Sequence, residues 1–115
     1  MKTEHLAHFF IAGFTYYDGA LVFRKLKIGK KLRLELEEDN KYDHRAVAVY
    51  YKKHKIGFIP RTENRIFYKL LKIGLGENIR MTVQSTDRRQ HPESQVQIVA
   101  HLINKNEQDG KAPND

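Results

Sequence analysis

The chain has 115 residues, close to the commonest size for one domain and too short for two good cores. Its 40% hydrophobic and 30% charged residues exclude a disordered chain. The absence of cysteine excludes a disulfide framework and a thiolate metal site.

No run nears the roughly 20 apolar residues of a membrane helix, and the apolar stretch from Leu6 to Phe14 is too short and contains His8. The net charge of +7 suits a phosphate polymer or another polyanion as partner, because basic surfaces release counterions on binding one. Solubility alone would also account for it. The excess sits in the body of the chain: without the last twelve residues, 19 Lys and Arg stand against 11 Asp and Glu.

In chain order, "HFFIAGFTY" reads as a first strand. The connector "DGALVFRKLKIG" offers Leu21, Phe23 and Leu26 to a short helical turn or to a loop pinned on the core. In "KKLRLELEE" the alternation of Leu32, Leu34 and Leu36 with Lys31, Arg33, Glu35 and Glu37 marks a half-buried strand. "AVAVYY", residues 46–51, is a β-branched and aromatic run that reads as a strand covered on both faces. It joins "KIGFI" through a lysine-rich turn, which makes a hairpin.

After Pro60, Ile66, Leu70 and Ile73 fall at helical spacing, with Thr62 placed to cap the start and Gly74 to end the helix. The expected helix covers about residues 61–73. "NIRMTVQS" and "SQVQIVAHLI" then form a second hairpin around the polar loop "TDRRQHPE". The expected fold is therefore mainly β: a small, partly closed β-barrel of about six strands with one helix, over residues 1–103. Residues 104–115 read as a polar, disordered tail.

Two stretches stand out. In "AGFTYYDG" two tyrosines adjoin, and in a strand one must face inward and one outward. Either the outward ring contacts a ligand or both simply cover the barrel rim. In "EEDNKYDHRAVAVYY", Asn40 and Asp43 suit an Asx-type turn before a strand. Tyr42, a bulky ring in a polar loop, must either pack down or stand as a platform.

The series "IAGFTYYDG", "LRLELEEDNKYDHRAVAVYY" and "KIGFIPRTENRIFYKLL" resembles the HIRAN domain, over about residues 8–103. The resemblance implies a modified OB-like barrel that captures the 3′ end of single-stranded DNA without doing chemistry. It implies that the terminal base stacks on tyrosines while an aspartate accepts a hydrogen bond from the free 3′-hydroxyl. Carried over by motif, the site comprises Gly13, Tyr16, Tyr17, Asn40, Tyr42 and Asp43, with Phe58 lining the pocket and Arg61 holding phosphate. By motif position Tyr16 is the platform. Thr15 stands where some eukaryotic members carry a basic residue, and Lys41 where the family commonly has proline. Lys41, Lys55 and Arg65 are further cations for the adjoining phosphates.

The expected partners are single-stranded DNA with a free 3′-hydroxyl and a helicase, nuclease or other repair protein, acting on a monomer. The expected location is the cytoplasm, at the nucleoid. No cofactor or metal is expected. Asp18, beside Gly19, reads as a turn residue, and His5 and His8, three apart in a strand, should lie on opposite faces. Glu37, Glu38, Asp39 and Asp43 would have to converge on Mg²⁺ for a nuclease-like enzyme. The main rival is a basic module that meets an acidic protein or duplex DNA through its tyrosines.

Overall fold

A computed structural model describes residues 2–105. The alternating segments form six strands: β1 (Thr3–Phe10), β2 (Lys31–Leu36), β3 (Val47–Tyr51), β4 (His54–Phe58), β5 (Ile79–Thr86) and β6 (Val96–Ile103). All pair antiparallel in one sheet of order β1-β6-β5-β2-β3-β4. The sheet turns at β2, which pairs with β5 through Lys31 and Leu32 and with β3 through Arg33 to Leu36. As the apolar run predicts, β3 is covered on both faces, with Val47, Ala48 and Val49 each 0% exposed.

A single bridge closes the sheet on itself. Where the chain leaves β1, the Ile11 N–H donates to the Val96 carbonyl on β6, and Ala12 exchanges both backbone hydrogen bonds with Phe58 on β4, at 2.8 and 2.9 Å. The expected partly closed barrel results. Closure brings two backbones together at Gly57, whose φ is 148°. A Cβ there would lie 2.4 Å from Ile11 Cγ2 and 2.5 Å from the Ala12 carbonyl oxygen, so the position admits only glycine.

Closure also shortens the first strand. It ends at Phe10, not at Tyr16, because the crossing to β4 must be followed by a turn. Gly13 makes that turn in the left-handed region, at φ 69°, and Phe14–Tyr16 form a 3-10 turn with Phe14 buried. The connector folds as α1 (Gly19–Val22) and a 3-10 turn, Phe23–Lys25. Within it Val22 and Leu26 enter the core, whereas Leu21, read as a core candidate, is 75% exposed. The helical turn places positions 22 and 26 on one side and leaves 21 outside.

The principal helix, α2 (Asn64–Lys72), starts later than expected. Glu63 occupies the cap position, without a side-chain cap bond, instead of Thr62. Its buried stripe runs through Asn64, Phe67, Tyr68 and Leu71, while Ile66 and Ile73 face solvent. The face is set by the ring that is fully buried: Phe67 meets Phe9 edge-on at 5.8 Å. Burying a phenylalanine contributes about 1.5–3 kcal/mol, enough to overrule the smaller aliphatics. At the other end of the chain, Asn104 donates its N–H to the Lys2 carbonyl. The remainder of the expected tail, residues 106–115, lies outside the described residues.

Gly57→Ala should destabilise the protein by about 2 kcal/mol or more, since overpacking and a forced left-handed backbone act together. Chemical denaturation measures it, and a variant as stable as the parent would show that the bridge tolerates a side chain.

Candidate nucleic-acid interface

The tyrosine pair does not divide between core and solvent. In the 3-10 turn the inward position belongs to Phe14, and both Tyr16 and Tyr17 are turned out, Tyr16 to 81% exposure. Tyr17 is the braced ring of the two. It meets Phe58 edge-on at 5.6 Å, and the Lys55 ammonium sits 4.7 Å from its centroid and 4.4 Å from that of Phe58. An ion pair with Glu37 holds Lys55 in that place, so it supports the wall of the site and is not a free phosphate cation.

The second loop is built from side-chain to backbone bonds. Asn40 Oδ1 accepts from the N–H groups of Tyr42 (2.8 Å) and Asp43 (3.1 Å), and Asp43 Oδ1 accepts from the Arg45 N–H at 2.9 Å. Both residues are thus turn formers, as the plain Asx reading expects. The loop is then tied to α2. Asn64 donates its amide to Asp43 Oδ2 (2.9 Å) and to the Arg45 carbonyl (3.0 Å). Arg61 donates to the Tyr42 carbonyl, with its Nε 3.8 Å from Asp43 Oδ2.

This framework leaves Asp43 with chemistry to spare. Each carboxylate oxygen accepts one hydrogen bond and retains a further lone pair, and the side chain is 17% exposed. Partial burial opposes its charge. The Arg45 N–H, the Asn64 amide and the guanidinium groups of Arg61 and Arg45 outweigh that opposition and hold the carboxyl below its ordinary pKa. It is ionised at neutral pH.

The two loops meet. Gly13, Tyr16, Tyr17, Asn40, Tyr42, Asp43, Phe58 and Arg61, eight of the ten expected site residues, line one cavity of about 260 Å³. Tyr42 is 84% exposed at its mouth. Thr15 and Lys41 lie outside: Thr15 opens into a neighbouring groove, and Lys41 lines, with His44 and Arg45, an adjoining hollow that shares Asn40, Tyr42, Asp43, Arg61 and Asn64 with the cavity. Ala12, Ala46, Ile59 and Asn64 complete the lining and were not anticipated. Asn64 had a visible signal, a lone amide in register with Phe67 and Leu71 on the helix. A larger groove of about 800 Å³ lies between the end of α2 and strands β2 and β5, and no aromatic side chain lines it.

Other candidates resolve differently. A register shift between His5 and Ala7 puts His5 and His8 on the same face, with Nε2 and Nδ1 3.1 Å apart, where strict alternation would separate them. The acidic residues do not converge. Glu37 turns to Lys55, Glu38 to Lys72 and Tyr68, and Asp43 to Asn64 and Arg61. Among the described residues no group of three or more His, Asp and Glu is placed to hold a metal ion. Asp18 turns the chain, as read, and its carboxylate pairs with His54 at 3.1 Å. No described helix is long and apolar enough to cross a membrane.

Set against known families, residues 6–102 match the HIRAN domain model. The chain belongs to the HIRAN domain family. HIRAN domains are generally non-catalytic modules that bind DNA, which is consistent with DNA as the partner. Among solved structures, a protein from Lactobacillus plantarum shares the fold with a TM-score of 0.73 and 22% identity, over 88% of this chain and 95% of that one. No curated protein matches the sequence.

Because the folded-state pKa of Asp43 is depressed, its contribution to stability is present above the unfolded value of 3.8 and is lost as pH falls through the lower folded value. Asp43→Asn should therefore flatten the acid side of the stability–pH profile, measured by denaturation between about pH 2 and 6. A profile with an unchanged acid limb would show that the carboxylate does not carry this linkage.

Proposed function

We propose that this HIRAN domain captures the 3′-hydroxyl end of single-stranded DNA and performs no chemistry on it. The observation that carries the reading is the opening of two nearly free tyrosine rings, Tyr16 and Tyr42, into the cavity that holds an ionised Asp43. Every base has an apolar face, and stacking on an aromatic side chain contributes about 1–3 kcal/mol with little regard to sequence. Tyr16 and Tyr42 are the stacking rings in this reading, with Tyr17 and Phe58 as the fixed wall behind them.

Asp43 supplies the end selection. An ionised carboxylate accepts a hydrogen bond from a free hydroxyl, while a 3′-phosphate at the same point meets like charge. A cavity of about 260 Å³ is at the small end of ligand sites, the scale of a terminal nucleotide rather than of a continuing strand. Arg61, exposed at the rim, has guanidinium donors left for the adjoining phosphate after serving Tyr42 and Asp43. We infer from the family resemblance that end capture serves DNA repair or replication-fork processing at the nucleoid, alongside a helicase or nuclease.

Titration with paired oligonucleotides tests the reading. A short strand with a free 3′-hydroxyl should bind more tightly than its 3′-phosphorylated twin, and Asp43→Asn should narrow that difference. Tyr16→Ala and Tyr42→Ala should each weaken binding by about 1–3 kcal/mol while leaving the unfolding transition in place. Arg61→Ala should reduce the salt slope by about 0.7, one phosphate's worth on a single strand. Equal affinity for both twins, or for blunt duplex, would instead favour a basic interaction surface with no end preference.

A further inference from the structure

The wall formed by Phe14–Tyr16 has a second side. Tyr16 faces the cavity, and its neighbour Thr15 opens into a separate groove of about 650 Å³. That groove is lined by α1, by the 3-10 turn after it and by the β5–β6 loop, which bring in Leu21, Phe23, Arg24, Lys25 and Arg88. Its chemistry differs from that of a chance depression. Among the described residues no carboxylate pairs with Arg24, Lys25 or Arg88, and the Arg88 guanidinium lies 4.8 Å from the centre of the Phe23 ring. Leu21, left outside the core, extends the apolar part of the same surface.

We propose that this groove is the track for the nucleotides 5′ of the captured end. The inference rests on the 3′-end reading, in which the strand leaves the cavity on its 5′ side; beyond the phosphate held at Arg61 it crosses the mouth to the groove that begins at Thr15, one residue from Tyr16. Arg24, Lys25 and Arg88 hold successive phosphates, and the layered Phe23 and Arg88 offer a flat face on which a base stacks. Unpaired cations interleaved with an aromatic face are the two components of a sequence-tolerant single-strand groove. Charge complementarity, and the adjacency of Thr15 to Tyr16 across one wall, favour a nucleic-acid strand here over an acidic protein.

The test compares a dinucleotide with an octanucleotide, both with free 3′-hydroxyls, by calorimetry or fluorescence anisotropy. The intact protein should bind the octanucleotide about tenfold or more tightly, with a salt slope steeper by about 0.7 for each added phosphate contact. Replacing Arg24, Lys25 and Arg88 together by alanine should remove most of that gain and leave dinucleotide affinity within about twofold. A charge-matched variant with alanine at Lys31, Lys53 and Lys69, none of which lines either surface, should keep the gain. The groove is overturned if the first variant retains the gain or if the control loses as much. Loss of end preference for the dinucleotide in the intact protein would instead remove the 3′-end reading, and the groove's assigned direction with it.

Discussion

The pair of backbone hydrogen bonds between Ala12 and Phe58 organises the rest of this molecule. A six-stranded antiparallel sheet has two open edges, each with unpaired N–H and C=O groups. Here the chain leaving one edge is handed to the other within two residues, Ile11 on β6 and Ala12 on β4. The handover needs the missing side chain of Gly57 on one strand and the left-handed turn at Gly13 just beyond the other. It delivers Tyr16 and Tyr17 beside Phe58, so the same contact that closes the barrel also assembles one wall of the cavity.

The opposite wall depends on a polar network more than on packing. Asn40 and Asp43 shape their loop through backbone N–H groups, and Asn64 and Arg61 fasten it to the start of α2. Among the described residues Asn64 is the buried polar residue of the core, and its amide donates both to the Asp43 carboxylate and to a backbone carbonyl. Such a group costs about 1–3 kcal/mol when its partners are removed, so the loop and the helix hold each other in register. Structural and chemical roles are therefore joined in Asp43: the bonds that make it a turn residue also keep it charged.

Much of this was legible in the sequence where periodicity or a motif carried the information. The alternation of Leu32, Leu34 and Leu36 and the unbroken run from residue 46 to residue 51 located β2 and β3, and the order of glycine, tyrosine, asparagine and aspartate motifs pointed to residues that the fold does bring into one cavity. What stayed hidden was decided by long-range contact. Nothing local announces that β1 stops at Phe10 to cross to β4, so the tyrosines were read within a strand. The buried face of α2 depended on Phe67 meeting Phe9, some 58 positions away in the chain. Asn64 could be given a partner only once Asp43 was next to it, and the bulge that aligns His5 with His8 leaves no trace in composition.

The unequal support of the rings has a kinetic consequence. Tyr17 is wedged between Phe58 and Lys55 before any ligand arrives, whereas Tyr16 and Tyr42 have almost their whole surface in water. Ordering a free side chain on association costs about 0.5–1.5 kcal/mol, so each loose ring returns part of what its contact yields. On the proposed reading, a site with one preorganised jaw and two that must be immobilised would trade residence time for adaptability, conforming to any base and letting go readily. Rapid exchange of this kind would suit a domain that samples many strand ends, as the proposed end capture requires.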